Sequence, residues 1–332
     1  MKRFFCSCGD EIFFENHQCL SCQTAVGFDP ACMQMVVVDH ADHHRFCRNK
    51  SQFGVCNWMR PDDGGNPLCS ACQFNRTIPN LGLDGNQKHW TVLEQAKKRL
   101  FFTLMQLGLP LHSGWDKPDS GLLFDFLDDA RSKPEHFADS FITSGYSQGV
   151  VTLNLLEADD IARAAMQAKM CEPYRTLLGH FRHESGHYYW SLLESDAPCL
   201  SDFESLFGDP ASDYATALAS YYQRGPAPQW NETHISAYAT AHPLEDWAET
   251  WGHYLHIFDA LETAQAHGLI PEMVECATIA DRVLAWQNLS VVLNELNRSV
   301  GRADAYPFAI GPRVVEKLEL AHGVMEFLRD RR

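Results

Sequence analysis

The chain has 332 residues, 45% of them apolar, which is enough for one large domain or two ordinary ones and excludes a disordered or miniature protein. Twenty-seven Lys and Arg against 43 Asp and Glu give a formal charge of -16, which argues against nucleic acid and anionic membranes as partners. No apolar run approaches the roughly 18 to 20 residues of a membrane helix. The opening MKRFFCSCGDE reaches Cys6, Cys8 and Asp10 before a signal-type stretch can form, so a soluble, cytoplasmic protein is expected.

Nine of the twelve cysteines lie in the first 72 residues, and eight of these are clustered. Cys6-x-Cys8 is followed by Cys19-x2-Cys22, and Cys47 and Cys56 by Cys69-x2-Cys72, so each set supplies four thiolates. Disulfides do not persist in a reducing compartment, whereas cysteine pairs on tight turns suit a tetrahedral metal that fixes a stretch too short to bury a core. Residues 1–76 are therefore expected to form a zinc-ribbon module with two structural zinc sites. The shorter loops favour local closure over an exchange of Cys6/Cys8 with Cys69/Cys72. His40, His43 and His44 lie between the clusters and could replace a cysteine, but eight thiolates already suffice. Cys32, Cys171, Cys199 and Cys276 have no partner spacing and are expected to be buried thiols. Residues 1–80 carry seven Lys and Arg against eight Asp and Glu, and thiolate sites make the module more acidic still, so folding or protein contact is a better role for it than nucleic-acid binding.

Residues 77–88, with Pro79, Gly82 and Gly85, are expected to be a linker. Trp90, Leu93, Leu100, Phe101, Leu104 and Leu107 then recur at helical spacing and predict a helix over 89–107, stopped by Gly108 and Pro110. Apolar runs at 121–127 and 149–156, between turn residues, predict a small sheet. From Asp159 onward helices are expected at 159–170, 173–194, 211–223, 243–267, 271–298 and 312–330. The expected class is α+β, with a mostly helical domain over 89–332.

Within LLGHFRHESGHYYWSLL stands His183-Glu184-Ser185-Gly186-His187, an HExxH sequence in a helical context. Positions four apart differ by only about 40° around a helix axis, so both imidazoles can bind one zinc ion, and Glu184 beside it can take a proton from the bound water and pass it to a departing amine. A catalytic zinc needs one more protein ligand and an open position. The three-histidine pattern HExxHxxGxxH is excluded, because Trp190 and Leu193 stand where Gly and His are required. Of the other histidines, His180, His253 and His256 fit packing or support of the site better than direct ligation.

Downstream, His242-Pro-Leu-Glu245-Asp-Trp-Ala-Glu249-Thr-Trp resembles the glutamate helix of gluzincins. With EPYRTLLGHFRHESGHYYW and the cysteine-rich start, the chain is similar to the bacterial zinc-ribbon-bearing zinc-binding metallopeptidase family of the gluzincin clan. That resemblance implies a zincin-like fold in which Glu245 is the third zinc ligand and Glu249 supports a histidine ligand, expected to be His183. Glu245, Asp246 and Glu249 compete for the third position. Tyr238 stands seven residues before Glu245, the separation at which a subset of gluzincins places an oxyanion-binding tyrosine, and this selects Glu245. Asp246 would then face elsewhere, about 100° round the helix.

The expected protein is a zinc metallopeptidase, a hydrolase of a peptide or isopeptide bond, with one catalytic and two structural zinc ions and a peptide or protein substrate. Residues 149–156 are expected to form an edge strand that holds an extended substrate. The alternative is a non-enzymatic adaptor whose ribbons and zincin-like domain bind protein partners; the intact HESGH speaks against it.

Overall fold

A computed structural model describes residues 1–61, 65–133, 135–136, 141–170, 176–273 and 277–331, with the backbone alone at 40, 41 and 166–170. The chain is α+β and forms two compact units, Lys2–Arg163 and Ala164–Arg332, the latter with Met1.

In the first unit, β1 (Phe4–Phe5) and β2 (Glu11–Ile12) form an antiparallel pair, and β3 (Val26–Asp29) and β4 (Gln34–Val37) form another. A short helix, α1 (Arg48–Phe53), ends at Gly54, and β5 (Asn75–Thr77) leads to the long helix α2 (Asn86–Gln106). Strands this short cannot enclose a core, and α2 supplies what they lack. Its Phe102 meets Phe4, Phe14 and Phe28 at ring-centroid distances of 6.5, 5.4 and 5.6 Å. The adjacent Phe101, about 100° round the helix, instead meets Phe74 at 4.8 Å and Phe124 at 5.9 Å. One helix thus closes the cysteine-rich segments on one side and a sheet on another. The compact unit that contains residues 77–88 extends to Arg163.

That sheet has the order β5, β6 (Leu123–Leu127), β8 (Val150–Asn154), β7 (Gly145–Ser147), with β5, β6 and β8 parallel and β7 antiparallel to β8. Ser147 pairs with Val150, so Gln148 and Gly149 make a two-residue turn, with φ of 46° and 80°, as a tight hairpin requires. This hairpin corrects the expectation of an edge strand at 149–156: β8 is flanked by β6 and β7 and is an interior strand. Helix α3 (Asp160–Met170) follows.

The second unit is helical: α4 (Leu177–Ser191), α5 (Ala197–Phe207), α6 (Tyr214–Arg224), α7 (Pro243–Ala266), α8 (Ile279–Ser299) and α9 (Pro312–Asp330). Helix α4 starts at its cap, Thr176, whose hydroxyl accepts from Gly179 N at 2.9 Å; Pro173, expected in its first turn, lies outside the described residues. Helix α8 starts later than the expected 271, because Thr278 and Asp281 form a reciprocal capping box. Sequence periodicity did not predict α5. Asp196 caps it, Pro198 sits in its first turn, and Phe203 packs 4.1 Å from Trp190. Among the described residues no helix is long and apolar enough to cross a membrane.

Helices α4 and α7 pack closely at Gly186. A Cβ there would lie 3.0 Å from Ala248 Cα and 3.1 Å from Trp251 Cβ. The contact is latched by indole N–H groups: Trp247 donates to Gly186 O at 2.9 Å and Trp251 to Ser185 Oγ at 3.0 Å. Because the nearest atom is backbone, Gly186→Ala must push the helices apart. A loss of about 1–3 kcal/mol is expected in urea denaturation; an unchanged midpoint would show that the packing is looser than this.

Farther along α7, His253 donates or accepts through Nδ1 to Tyr306 Oη at 2.8 Å and stacks edge-on against Phe308 at 4.5 Å. Burial lowers its pKa from 6.5 to about 4, outweighing the upward pull of Glu249. A histidine depressed in the folded state contributes stability that is full above its unfolded value and is lost as pH falls through its folded value. Stability should therefore decline between about pH 6.5 and pH 4, by on the order of 3 kcal/mol from this group. Denaturation curves across that window should be flatter for His253→Gln, and parallel slopes would refute the assignment.

Candidate metal centre and active site

Each cysteine set closes locally. Potential ligand atoms of Cys6, Cys8, Cys19 and Cys22 all lie within 4.8 Å of one another, as do those of Cys47, Cys56, Cys69 and Cys72. Sulfur pairs stand 3.6 Å apart for Cys6–Cys22 and 3.7 Å for both Cys8–Cys19 and Cys56–Cys69. Tight turns aim these thiols: Gly9 N donates to Cys6 O at 2.9 Å and Gln23 N to Cys19 O at 3.0 Å. The second set is fully buried, and so is Lys98, whose Nζ donates to Asn57 Oδ1 at 3.1 Å. Burial alone would lower the pKa of Lys98, but the negative charge of Cys56, Cys72 and Glu94 outweighs it and holds the ammonium charged. Two of the lone cysteines depart from the expectation of burial: Cys32 is exposed and Cys199 only half-buried, since each sits at the surface of a turn or first helical turn. Cys171 and Cys276 lie outside the described residues.

The HExxH face of α4 points at the N-terminal turns of α7. His187 Nε2 and His183 Nε2 are 3.2 Å apart, and the Glu245 carboxylate lies 3.0 Å from His183 Nε2 and 3.6 Å from His187 Nε2. These three residues form the third group of candidate ligands. His242 starts α7 by accepting from Leu244 N through Nδ1, and Pro243 occupies the first turn, so Glu245 enters the site from the first turn of a well-anchored helix. Glu249 follows one turn later, with Oε1 2.7 Å from His183 Nδ1 and Oε2 accepting from Ser236 Oγ at 2.5 Å. Asp246 points away to a buried ion pair with Lys317 at 2.5 Å. Tyr238 packs its ring 6.0 Å from that of His183 and edge-on against Tyr221.

Buried charge is organised around these groups. Burial would raise the pKa of Glu249, but His183 against it holds the carboxyl down to about 2. Glu184, also buried, is kept below the ordinary carboxylate range by its contact with His180 and the nearby histidine charges, which outweigh desolvation. For His183 the two carboxylates overcome burial and hold the ring well above its usual value. The two carboxylates, Glu245 and Glu249, thus make the surroundings of this ring favourable to positive charge.

Two groups at the site escaped sequence reasoning. The Tyr214 hydroxyl donates a short hydrogen bond to Glu245 Oε1, and Ser236 supports Glu249. Tyr214 opens α6, a separate helix 31 residues before its partner, and no spacing rule links them. Ser236 lies two residues before Tyr238, close enough to the motif to be noticed but with no distinguishing pattern.

Residues 86–324 match the family described as "Putative zinc-binding metallo-peptidase", and residues 3–83 match a zinc-ribbon domain. The chain belongs to that metallopeptidase family and carries an N-terminal zinc-ribbon domain. It is 40% identical over 338 residues to uncharacterized proteins of Mycobacterium bovis and of two Mycobacterium tuberculosis strains, covering 98% of this chain and 96% of each relative. No solved structure matches it.

Proposed function

We propose that the protein is a zinc-dependent peptidase of the gluzincin type that hydrolyses a peptide or isopeptide bond. The observation that supports this best is the convergence of His183, His187 and Glu245 beside Glu184, whose Oε2 is buried without a hydrogen-bond partner among the described residues. The donor sets fit the ion. Tetrahedral ligands at about 2.0–2.1 Å from zinc lie roughly 3.3 Å apart, against 3.2 Å here between the two imidazole nitrogens, with one Glu245 oxygen 3.0 Å from His183 and the other 3.6 Å from His187. Thiolates at about 2.3 Å would lie roughly 3.8 Å apart, against 3.6 and 3.7 Å here.

His183, His187 and Glu245 would hold one ion, and each four-cysteine set another. Bound zinc supplies a Lewis acid that polarises the scissile carbonyl and acidifies water. Glu184 accepts the proton of the attacking water and delivers it to the departing amine. Tyr238 donates its phenol proton in a hydrogen bond to the developing oxyanion. Glu249 accepts from His183 Nδ1, which fixes the tautomer that leaves Nε2 free for metal, while Tyr214 steadies Glu245.

Metal analysis should find about three zinc ions per chain, and a chelator should strip the three-ligand site before the closed thiolate sites. A single zinc, or disulfides among residues 6–72 in reduced protein, would count against this assignment.

Glu184→Gln should lower turnover by about 10²- to 10⁴-fold while zinc stays bound. Tyr238→Phe should also lower turnover with zinc retained, Glu245→Ala should lose the catalytic zinc, and Glu249→Ala should weaken it by about 10- to 100-fold. Zinc-loaded protein that cleaves no member of an unbiased peptide library would instead favour a protein-binding adaptor.

A further inference from the structure

Helix α4 carries a second histidine–glutamate contact besides those at the candidate ligands. His180 lies one turn before Glu184, and its Nε2 is 2.9 Å from Glu184 Oε1, with side-chain exposures of 8% and 5%. Side chains on a helix lean toward its N-terminus, so Glu184 reaches back onto His180 rather than forward. An ionised carboxylate can only accept, so the Nε2 nitrogen must carry the proton and donate it. The same nitrogen is then unavailable to a metal, and His180 is absent from the group of His183, His187 and Glu245. The other carboxylate oxygen, Oε2, is buried and, among the described residues, has no hydrogen-bond partner. Leaving such an oxygen unpaired is costly, and a free carboxylate would rotate to relieve it.

We propose that His180 is a positioning residue for Glu184: by holding Oε1 it keeps the carboxylate in one orientation and leaves Oε2 alone to exchange protons with a reactant. The catalytic consequence rests on the peptidase reading given above; the pairing itself does not.

Zinc-loaded wild type, His180→Ala, His180→Gln and Glu184→Gln would be compared in three measurements. Imidazole 15N–1H correlation spectra should show His180 protonated on Nε2, with that resonance shifted by Glu184→Gln. Zinc affinity, by competition with a chromophoric chelator, should stay within about 3-fold in both His180 variants, unlike the loss expected of a residue supporting a ligand. On cleaved members of a peptide library, His180→Ala should lower kcat by about 10- to 100-fold at unchanged KM, and His180→Gln, whose amide N–H can reach the same oxygen, should recover most of that loss. Protonation of His180 on Nδ1 alone, a fall in zinc affinity parallel to kcat, or no recovery by glutamine would overturn the proposal. If wild type holds zinc yet cleaves nothing, the peptidase reading fails, and the spectra still decide whether His180 holds Glu184.

Discussion

The close crossing of α4 and α7 over Gly186 turns two stretches of sequence some sixty residues apart into one site. Without a side chain at 186, the backbone of Ala248 and the base of Trp251 come within contact distance, and two indole hydrogen bonds fix the helices in rotation and along their axes. The fixed crossing brings His183 within reach of Glu245 and Glu249 together. Sliding one helix past the other by a turn, about 5.4 Å, would carry both carboxylates out of range of the imidazoles. The large buried indoles at 247 and 251 make such a slip costly, because each would have to leave a close-packed environment. The residues that pack the helices are thus the ones that set the chemistry.

In the N-terminal unit the constraint is different in kind. Two-residue strands and turns fix the thiols locally, but they cannot bury a core, and the rings of Phe4, Phe14 and Phe28 are closed by Phe102 of α2. The same helix sets Lys98 beneath the buried cysteine set, so one element supplies both apolar cover and a counter-charge to the thiolates. A buried ammonium is expensive unless compensated, and here Cys56, Cys72 and Glu94 compensate it. Helix and cysteine set each satisfy a cost that the other creates.

Legibility in the sequence followed the range of the interaction. The spacing of His183 and His187, the separation of Glu245 from Glu249, and the local closure of each cysteine set are short-range consequences of helix and turn geometry, and they could be written down from the chain alone. Tyr214 could not, because only the fold brings α6 against the first turn of α7. The extent of the first compact unit was not legible for a similar reason: α2, beyond Pro79, Gly82 and Gly85, packs its Phe102 back on Phe4, Phe14 and Phe28. Likewise α5 is held by Phe203 against Trp190, a tertiary contact that outweighs a weak local pattern. The hairpin at Gln148 and Gly149 was visible as a turn, but its consequence, an interior β8, depends on strand pairing that composition does not encode.

Three glutamates stand within one small site, identical in covalent structure and different in every relevant physical respect. Glu249 has both oxygens engaged, by His183 and Ser236, and a pKa pulled down to about 2, so it is a permanent anion suited to orienting an imidazole. Glu245 accepts a hydrogen bond from Tyr214 on one oxygen and turns the other to within 3.0 Å of His183 Nε2. Glu184 is tied at one oxygen by His180 and, among the described residues, has no hydrogen-bond partner at the other. Of the three carboxylates, Glu184 alone is held by a neighbour on its own helix, whereas Glu245 and Glu249 are held from other elements. Environment, rather than residue type, therefore separates the three carboxylates, and equivalent surroundings on α4 and α7 would leave them indistinguishable.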